Sequence, residues 1–237
     1  MAVVSTMQES MSALPVDQVA RRTRIKLCGF TRREDVDEAV RLGADALGFV
    51  FYPKSKRYVD PAKVHRLVSD IPAFVTTVAL FVDPQPDFVF EVLDAMRPGL
   101  LQFHGDESEQ TCTSYRWPYV KAFRVGAPGM ESEQVLAAHC SRYAGAAGWL
   151  FDSYTPAYGG SGHGFERSLL NGVRSDIASR PLILSGGLQV GNVGSLVAAI
   201  RPWAVDVSSG IESAPGQKCP DKMRHFIAAV RQADMQP

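Results

Sequence analysis

The chain has 237 residues, of which 46% are hydrophobic and 21% are charged, and its formal net charge is zero at neutral pH. A neutral chain lacks the basic excess of a nucleic-acid-binding surface. No apolar run reaches the ~18 residues that a membrane-spanning helix needs. We therefore expect neither nucleic acid nor a membrane among the binding partners.

Four cysteines lie far apart and form no CxxC pair: Cys28, Cys112, Cys140 and Cys219. This spacing disfavours a disulfide framework or a structural zinc site, and a reducing cytoplasm is the simplest location. We expect no metal. Residues 1–22 are polar, without a clear period or the apolar core of a signal peptide. We predict a flexible extension there, with a short capping helix as the alternative, and one domain over 23–237.

Apolar runs alternate with helical patterns along the domain. The first run, 24–28, ends at Gly29, and a capping-box pattern from Thr31 to Glu34 then predicts a helix that Gly43 stops. Further strands are predicted at 46–51, 76–82, 100–103, 119–124, 148–152, 181–185 and 204–208, and helices at 61–69, 88–96, 107–115, 131–143, 190–200 and 219–232. Glu107, in the fourth helix, is expected on a solvated face.

These runs give about eight strand–helix units, with no strand hairpins between them. Short strands that are apolar throughout are typical of parallel sheets, and their alternation with helices implies right-handed crossovers. The length suits a closed barrel of about 250 residues. The alternative is an open doubly wound sheet, but no GxGxxG motif follows the first strand to support a dinucleotide-binding version. The predicted fold class is α/β, a single-domain (β/α)8 TIM barrel with a short N-terminal extension.

Reactive side chains collect at the carboxyl ends of the predicted strands, where barrel enzymes build their sites. Cys28 ends the first strand and is either an inert buried thiol or a reactive one. Asp152 ends an apolar strand, where a carboxylate must be solvated or paired, unless it is a cap or turn residue. Asp206 lies inside the eighth strand and needs a partner, and His104 is a turn histidine or a site residue.

Three glycine-rich segments follow the sixth, seventh and eighth strands. Glycine lets the backbone approach a ligand closely, and successive N–H groups form an anion-binding nest. The loops after strands seven and eight often bind phosphate in barrels, although a tight turn is the alternative for any single segment. We predict phosphate contacts at Gly160, Gly162, Gly186, Gly187, Ser208, Ser209 and Gly210.

Several segments follow one another in the order of the motifs of one known family. They are KLCGFT with a following ED at 26–35, SKRYV at 55–59, LQFHGDE at 101–107, SGGL at 185–188 and DVSSGIE at 206–212. Together they resemble the phosphoribosylanthranilate isomerases from about residue 24 to residue 231. The chain departs from the family pattern at Cys219, where aspartate is usual, and at Glu166-Arg167, where the family commonly has aspartate and tryptophan.

The resemblance implies a tryptophan-biosynthesis isomerase that works without metal or organic cofactor on a small phosphorylated substrate. It implies that Cys28 is the general base, Asp152 the general acid and Arg57 the group that holds the anthranilate carboxylate, with His104 and Asp206 lining the site. A monomer or a homodimer is compatible with this architecture. Two alternatives remain: a phosphosugar isomerase of histidine biosynthesis, which usually has aspartate where Cys28 stands, and a non-catalytic phosphate-binding barrel.

Overall fold

Eight parallel strands hydrogen-bond in chain order and close into a barrel, because β1 pairs with both β2 and β8. The computed structural model describes residues 22–153, 166–175 and 179–236. The strands are β1 Arg24–Cys28, β2 Ala46–Val50, β3 Thr76–Phe81, β4 Leu100–Phe103, β5 Tyr119–Val125, β6 Gly148–Ser153, β7 Leu182–Leu184 and β8 Ala204–Val207. The predicted barrel is confirmed, and the open sheet is wrong.

A helix follows each barrel strand. The helices are α1 Arg33–Arg41, α2 Pro61–Val68, α3 Pro86–Met96, α4 Glu109–Ser114, α5 Glu133–Ser141, α6 Asn171–Ser175, α7 Val190–Ile200 and α8 Pro220–Asp234. The sequence pattern did not predict α6. A 3-10 turn, Arg167–Leu170, leads directly into its five residues, and one short turn is too little to show a helical period.

Successive strand residues point to opposite sides of the barrel wall. One set packs against the helices in the main core, which includes Phe49, Phe81 and Trp149. The other set points into the barrel. Near the amino ends of the strands this inner set is an apolar layer of Leu100, Val120, Ala122, Leu150 and Ile183. Toward the carboxyl ends, an apolar cluster of Cys28, Val50, Leu80 and Val82 is joined by charged and polar side chains such as Asp206 and His104, so that end is where chemistry is possible.

Two local predictions are wrong. Helix α1 has Arg32 as its N-cap, with no side-chain capping bond, because the Thr31 hydroxyl donates instead to the carbonyl of Gly216 at 2.6 Å. A short antiparallel pair, β9 Glu212–Ala214 and β10 Gln217–Lys218, stands between β8 and α8 where no hairpin was expected. Gly216 makes its turn possible by adopting a φ of 81°.

The amino end of the domain is tied to its carboxyl-terminal helix. The backbone N–H and the hydroxyl of Thr23 both donate to the Asp234 carboxylate, at 2.8 and 2.6 Å. The predicted extension over 1–22 lies outside the described residues except for Arg22. Within the described part of the chain, no helix is long and apolar enough to cross a membrane.

Candidate active site

Cys28 is the last residue of β1, and its side chain lies among charges although it is only 4% exposed. Lys26, two residues earlier, points to the same side of the strand. Its Nζ donates to Oδ1 of Asp206 at 2.8 Å. Asp206 lies on β8, directly opposite Lys26 in the strand register. The thiol therefore lies beside an ammonium group that a buried carboxylate holds in place.

The charges around Cys28 have opposing effects on the pKa of its thiol. Burial raises that pKa, Lys26 lowers it, and Asp206 raises it again, with a net increase. Burial also lowers the pKa of Lys26, but Asp206 and the thiolate more than compensate, so the ammonium stays charged. A charged Lys26 favours the thiolate, the form of cysteine that accepts a proton.

Gly48 provides the space that the thiol occupies. It pairs with Cys28 across β1 and β2. A Cβ at this position would lie 2.5 Å from Sγ of Cys28 and 3.1 Å from Nζ of Lys26. Any side chain here would displace the thiol or the ammonium, so the site requires glycine.

Asp152 stands near the end of β6, at the same end of the barrel as Cys28. Its Oδ2 lies 3.2 Å from Nε2 of His104, and its Oδ1 accepts the backbone N–H of Ser153 at 2.8 Å. The other ring nitrogen of His104 lies 3.1 Å from the side-chain amide nitrogen of Gln102. The carboxyl group is thus oriented on both oxygens, one of them through a histidine.

Arg57 follows β2 and is held by a carboxylate of this chain. Its Nε and one Nη donate to the two oxygens of Glu212, both at 2.7 Å. These bonds raise the pKa of Arg57. A side chain at Gly29, which has a φ of 85°, would overlap the Arg57 stem. The Arg57 side chain is therefore fixed against Gly29, the residue after Cys28.

Glu212 also joins Arg57 to a second buried cation. Lys218 is 1% exposed, and its Nζ donates to Oε1 of Glu212 at 2.8 Å and to the carbonyl of Ser208 at 3.3 Å. Burial lowers the pKa of Lys218, and Glu212 opposes this effect. Its charge is close enough to the Cys28 thiol to lower the pKa of that group. The loop after β8 is thereby tied to the network that surrounds the thiol.

Two successive glycines in the loop after β7 adopt the left-handed backbone conformation. Gly186 and Gly187 are both left-handed, with φ of 74° and 66°. A Cβ on Gly186 would lie 2.9 Å from Oδ1 of Asp152, so this loop passes directly over the carboxyl group. Asn192 of α7 donates to the carbonyl of Gly187 at 2.8 Å and accepts the N–H of Gln189 at 2.9 Å, which fixes the loop.

The loop after β8 meets the loop after β7. Ser208 precedes the 3-10 turn Ser209–Ile211, and a Cβ on Gly210 would overlap the carbonyl of Leu188. The structure therefore brings together the glycines and serines predicted in these two loops. Gly160 and Gly162, predicted in the loop after β6, lie outside the described residues.

Arg167, one of the departures from the family pattern, reaches the same region. Its guanidinium donates to the carbonyls of Ser185 and Gly186, at 3.4 and 3.1 Å. Burial lowers the pKa of Arg167, and Asp152 opposes this, so the two charges lie close enough to interact. The guanidinium thus anchors the loop after β7 and adds positive charge near Asp152.

Glu107 is not on a solvated helix face. Helix α4 begins only at Glu109, so Glu107 lies in the loop before it, 6% exposed. Its carboxylate accepts from Nζ of Lys121 at 2.9 Å and from the N–H of Asp83 at 2.8 Å. Lys121 also donates to the carbonyl of Gly105 at 2.6 Å. This pair holds the loop that carries His104.

A cavity of about 560 Å³ opens at the opposite end of the barrel. Arg24, Arg201 and Trp203 are among its lining residues, and the guanidinium of Arg24 stacks 3.6 Å from the centre of the Trp203 ring. None of the strand-end side chains described above lines it. We therefore place the candidate active site at the carboxyl ends of the strands and not in this cavity.

A family model described as N-(5'-phosphoribosyl)anthranilate (PRA) isomerase matches residues 25–229. The chain belongs to this isomerase family. The N-(5'-phosphoribosyl)anthranilate isomerase of Bordetella parapertussis is 59% identical over 213 residues, which are 90% of this chain and 98% of the relative. The resemblance inferred from the motifs is confirmed.

Solved isomerase structures match over nearly their whole length. The phosphoribosylanthranilate isomerase of Thermotoga maritima is 39% identical with a TM-score of 0.78, covering 89% of this chain and 99% of its own. A phosphoribosylanthranilate isomerase in complex with reduced 1-(o-carboxyphenylamino)-1-deoxyribulose 5-phosphate is 36% identical with a TM-score of 0.76 and the same coverages.

Several site residues of this isomerase were not singled out from the sequence: Lys26, Gly48, Gln102, Glu212 and Lys218. Lys26 and Gln102 had a usable indication, because each precedes a proposed site residue by two positions in a predicted strand and so shares its face. Glu212 stands at the end of the DVSSGIE motif, but neither it nor Lys218 could be given a partner from the sequence, since their contacts depend on closure of the barrel.

Proposed function

We propose that this chain isomerises N-(5'-phosphoribosyl)anthranilate to 1-(2-carboxyphenylamino)-1-deoxyribulose 5-phosphate, with Cys28 as general base and Asp152 as general acid. Family membership supports this reaction. It disfavours the two alternatives, a phosphosugar isomerase of histidine biosynthesis and a non-catalytic phosphate-binding barrel. The observation that carries the residue roles is the pairing at one barrel end, where Lys26 lies beside the thiol and His104 lies 3.2 Å from the carboxyl group.

The reaction needs two proton transfers. An acid must protonate the ribose ring oxygen as the ring opens to an iminium, and a base must then remove the proton from C2 to give an enolamine, which becomes the ketone. Asp152 gives up its proton in the first step, and the carboxylate that remains accepts a hydrogen bond from His104. The Cys28 thiolate takes the C2 proton in the second step, with the Lys26 ammonium stabilising the charged thiolate beforehand.

The remaining predicted residues bind the two anionic ends of the substrate. Backbone N–H groups of the loops after β7 and β8, at Gly186, Gly187 and 208–210, are suited to the phosphate. Glu212 uses Nε and one Nη of Arg57, which leaves the other Nη to face the anthranilate carboxylate. Asp206 acts chiefly by holding Lys26.

Two conservative variants test the acid and base roles. We expect Cys28→Ser and Asp152→Asn each to lower turnover by about 10²- to 10⁴-fold, the usual contribution of one acid or base group. Turnover is followed by the loss of fluorescence of substrate made in situ, and circular dichroism checks the fold. Asp94→Asn, on an exposed side chain near the end of α3, is the matched control away from the site. Near-wild-type turnover in a folded Cys28 or Asp152 variant would remove that residue from the mechanism.

We also propose that the protein is a monomer or a homodimer and works in the cytoplasm. Family membership in a biosynthetic isomerase supports both statements. Light scattering after size-exclusion chromatography should give the chain mass of 25.8 kDa or twice that value, and a larger assembly would contradict this proposal. Cell fractionation of the native host should recover the activity in the cytoplasmic fraction, and recovery elsewhere would overturn the location.

A further inference from the structure

A buried chain of three side chains runs from Gln102 through His104 to Asp152. Gln102 is 1% exposed and lies on β4, two residues before His104, so both side chains enter the barrel. The amide nitrogen of Gln102 is 3.1 Å from Nδ1 of His104, and Nε2 of the same ring is 3.2 Å from Oδ2 of Asp152. Both ring nitrogens therefore have a partner.

These partners determine where the imidazole carries its proton. A neutral imidazole has one nitrogen that donates and one that accepts. The Gln102 NH2 group only donates, so it requires a bare Nδ1, and an ionised Asp152 only accepts, so it requires a proton on Nε2. The two requirements agree. With the amide reversed, Nδ1 would need the proton, and a bare Nε2 would face the carboxylate of Asp152.

We propose that Gln102 is a positioning residue that fixes His104 as the Nε2–H tautomer, so that His104 donates to Asp152 and stabilises the carboxylate left after proton delivery. This inference rests on the proposed role of Asp152 as general acid. Two other cationic groups lie near Asp152: Arg167, and Arg124, which stands opposite Asp152 on β5 and donates to Asp106 at 2.7 Å. Neither charge changes when Gln102 is replaced, so changes in such variants report on His104.

Two substitutions act on the tautomer in opposite ways. Gln102→Leu removes the donor to Nδ1, so a fraction of the rings carries the proton on Nδ1 and turns a bare Nε2 toward Asp152. This favours protonated Asp152 and moves the basic limb of the kcat profile to higher pH. Gln102→Glu supplies an acceptor to Nδ1 and favours a doubly protonated ring. That ring favours the Asp152 carboxylate and moves the same limb to lower pH.

The direct measurement is the nitrogen-15 resonance pair of His104 in the intact protein. A His104→Asn variant identifies that pair among the five histidines. We expect an Nε2–H pattern in the wild type, partial protonation of Nδ1 in Gln102→Leu and protonation of both nitrogens in Gln102→Glu. We expect kcat to fall about tenfold, because a misoriented proton donor reduces the rate, and KM to stay within about twofold because Gln102 lies away from the phosphate-binding loops.

The controls separate this inference from the proposed function. Gln110→Leu, on the exposed part of α4, should change neither the resonances nor the pH profile. If Gln102→Leu does not fold, Gln102→Met removes the same donor with an unbranched side chain. An unchanged Nε2–H pattern and an unshifted pH limb in the folded variants would overturn the positioning role. Full activity in Asp152→Asn would instead overturn the acid, whatever the resonances show.

Discussion

Replacing Lys26 by methionine separates what this ammonium contributes to stability from what it contributes to the thiol. The side chains of Lys26 and Asp206 are 8% and 7% exposed. Removing one member of such a pair leaves the other charge buried without a partner, which destabilises a protein by about 3–5 kcal/mol. For a domain of this size, that corresponds to a fall in melting temperature of roughly 6–20 °C.

The effect on Cys28 follows from the loss of a neighbouring positive charge. Two unit charges about 4 Å apart interact by about 4 kcal/mol at an effective dielectric constant near 20. Other groups around the thiol offset part of this, so removing Lys26 raises the pKa of the Cys28 thiol and leaves less thiolate at a given pH. Because the base must be deprotonated, the acidic limb of the activity profile moves to higher pH.

The assay is the pH dependence of iodoacetamide alkylation at Cys28, measured on its peptide by mass spectrometry, together with turnover. In the double variant Lys26→Met/Asp206→Leu, most of the stability should return because no buried charge is left unpaired. Alkylation of that variant should still need a higher pH than the wild type, because Lys26 influences the thiol more strongly than Asp206 does. Lys63→Met, on an exposed side chain, is the control. An unchanged alkylation midpoint in Lys26→Met would refute the reasoning.

Three further substitutions test other parts of the structure. Gly48→Ala should lower turnover at least about tenfold by displacing the reactive thiol. Gly191→Ala is the control and should leave turnover unchanged, because its Cβ would meet nothing within 4 Å. Equal turnover in the two variants would contradict the steric requirement at Gly48. Lys121→Met should lower stability by about 3–5 kcal/mol in urea unfolding because it leaves Glu107 buried without its partner, and a loss below about 1 kcal/mol would count against that pair. Cys219 is the N-cap of α8 and makes no side-chain capping bond. Cys219→Asp should therefore raise the melting temperature by about 2–4 °C. A fall in melting temperature would show that packing of the Cys219 thiol stabilises the protein more than a capping bond does.

The barrel could be predicted because each strand is a short apolar run and the apolar residues of the longer helices recur at helical spacing. The bounds predicted for β1 and β4 agree with the structure. The region before β7 could not be predicted in the same way, since in its described 3-10 turn and short helix Leu170 and Val173 are buried in the core and Leu169 is only partly buried against it. Two buried residues do not define a helical face.

The location of the candidate site could be predicted, but the hydrogen-bond partners of its residues could not. Strand ends indicated that Cys28, His104 and Asp152 would share one end of the barrel. The bonds that orient the site join residues far apart in sequence, such as Lys26 with Asp206, 180 residues apart, and Arg57 with Glu212, 155 apart. Such partners depend on strand register and on closure of the barrel, which hydrophobic periodicity does not specify.

The distribution of buried charge explains why these pairs matter at one end only. Among the residues that the structure describes, three ion pairs are almost fully buried: Lys26–Asp206, Lys121–Glu107 and Lys218–Glu212. Apolar residues of similar size often stabilise a protein as well as or better than a buried ion pair, and the interior near the amino ends of the strands is indeed apolar. Stability alone therefore does not account for three pairs near the carboxyl ends. Each instead fixes a part of the site: the ammonium beside Cys28, the loop that carries His104, and the loop after β8.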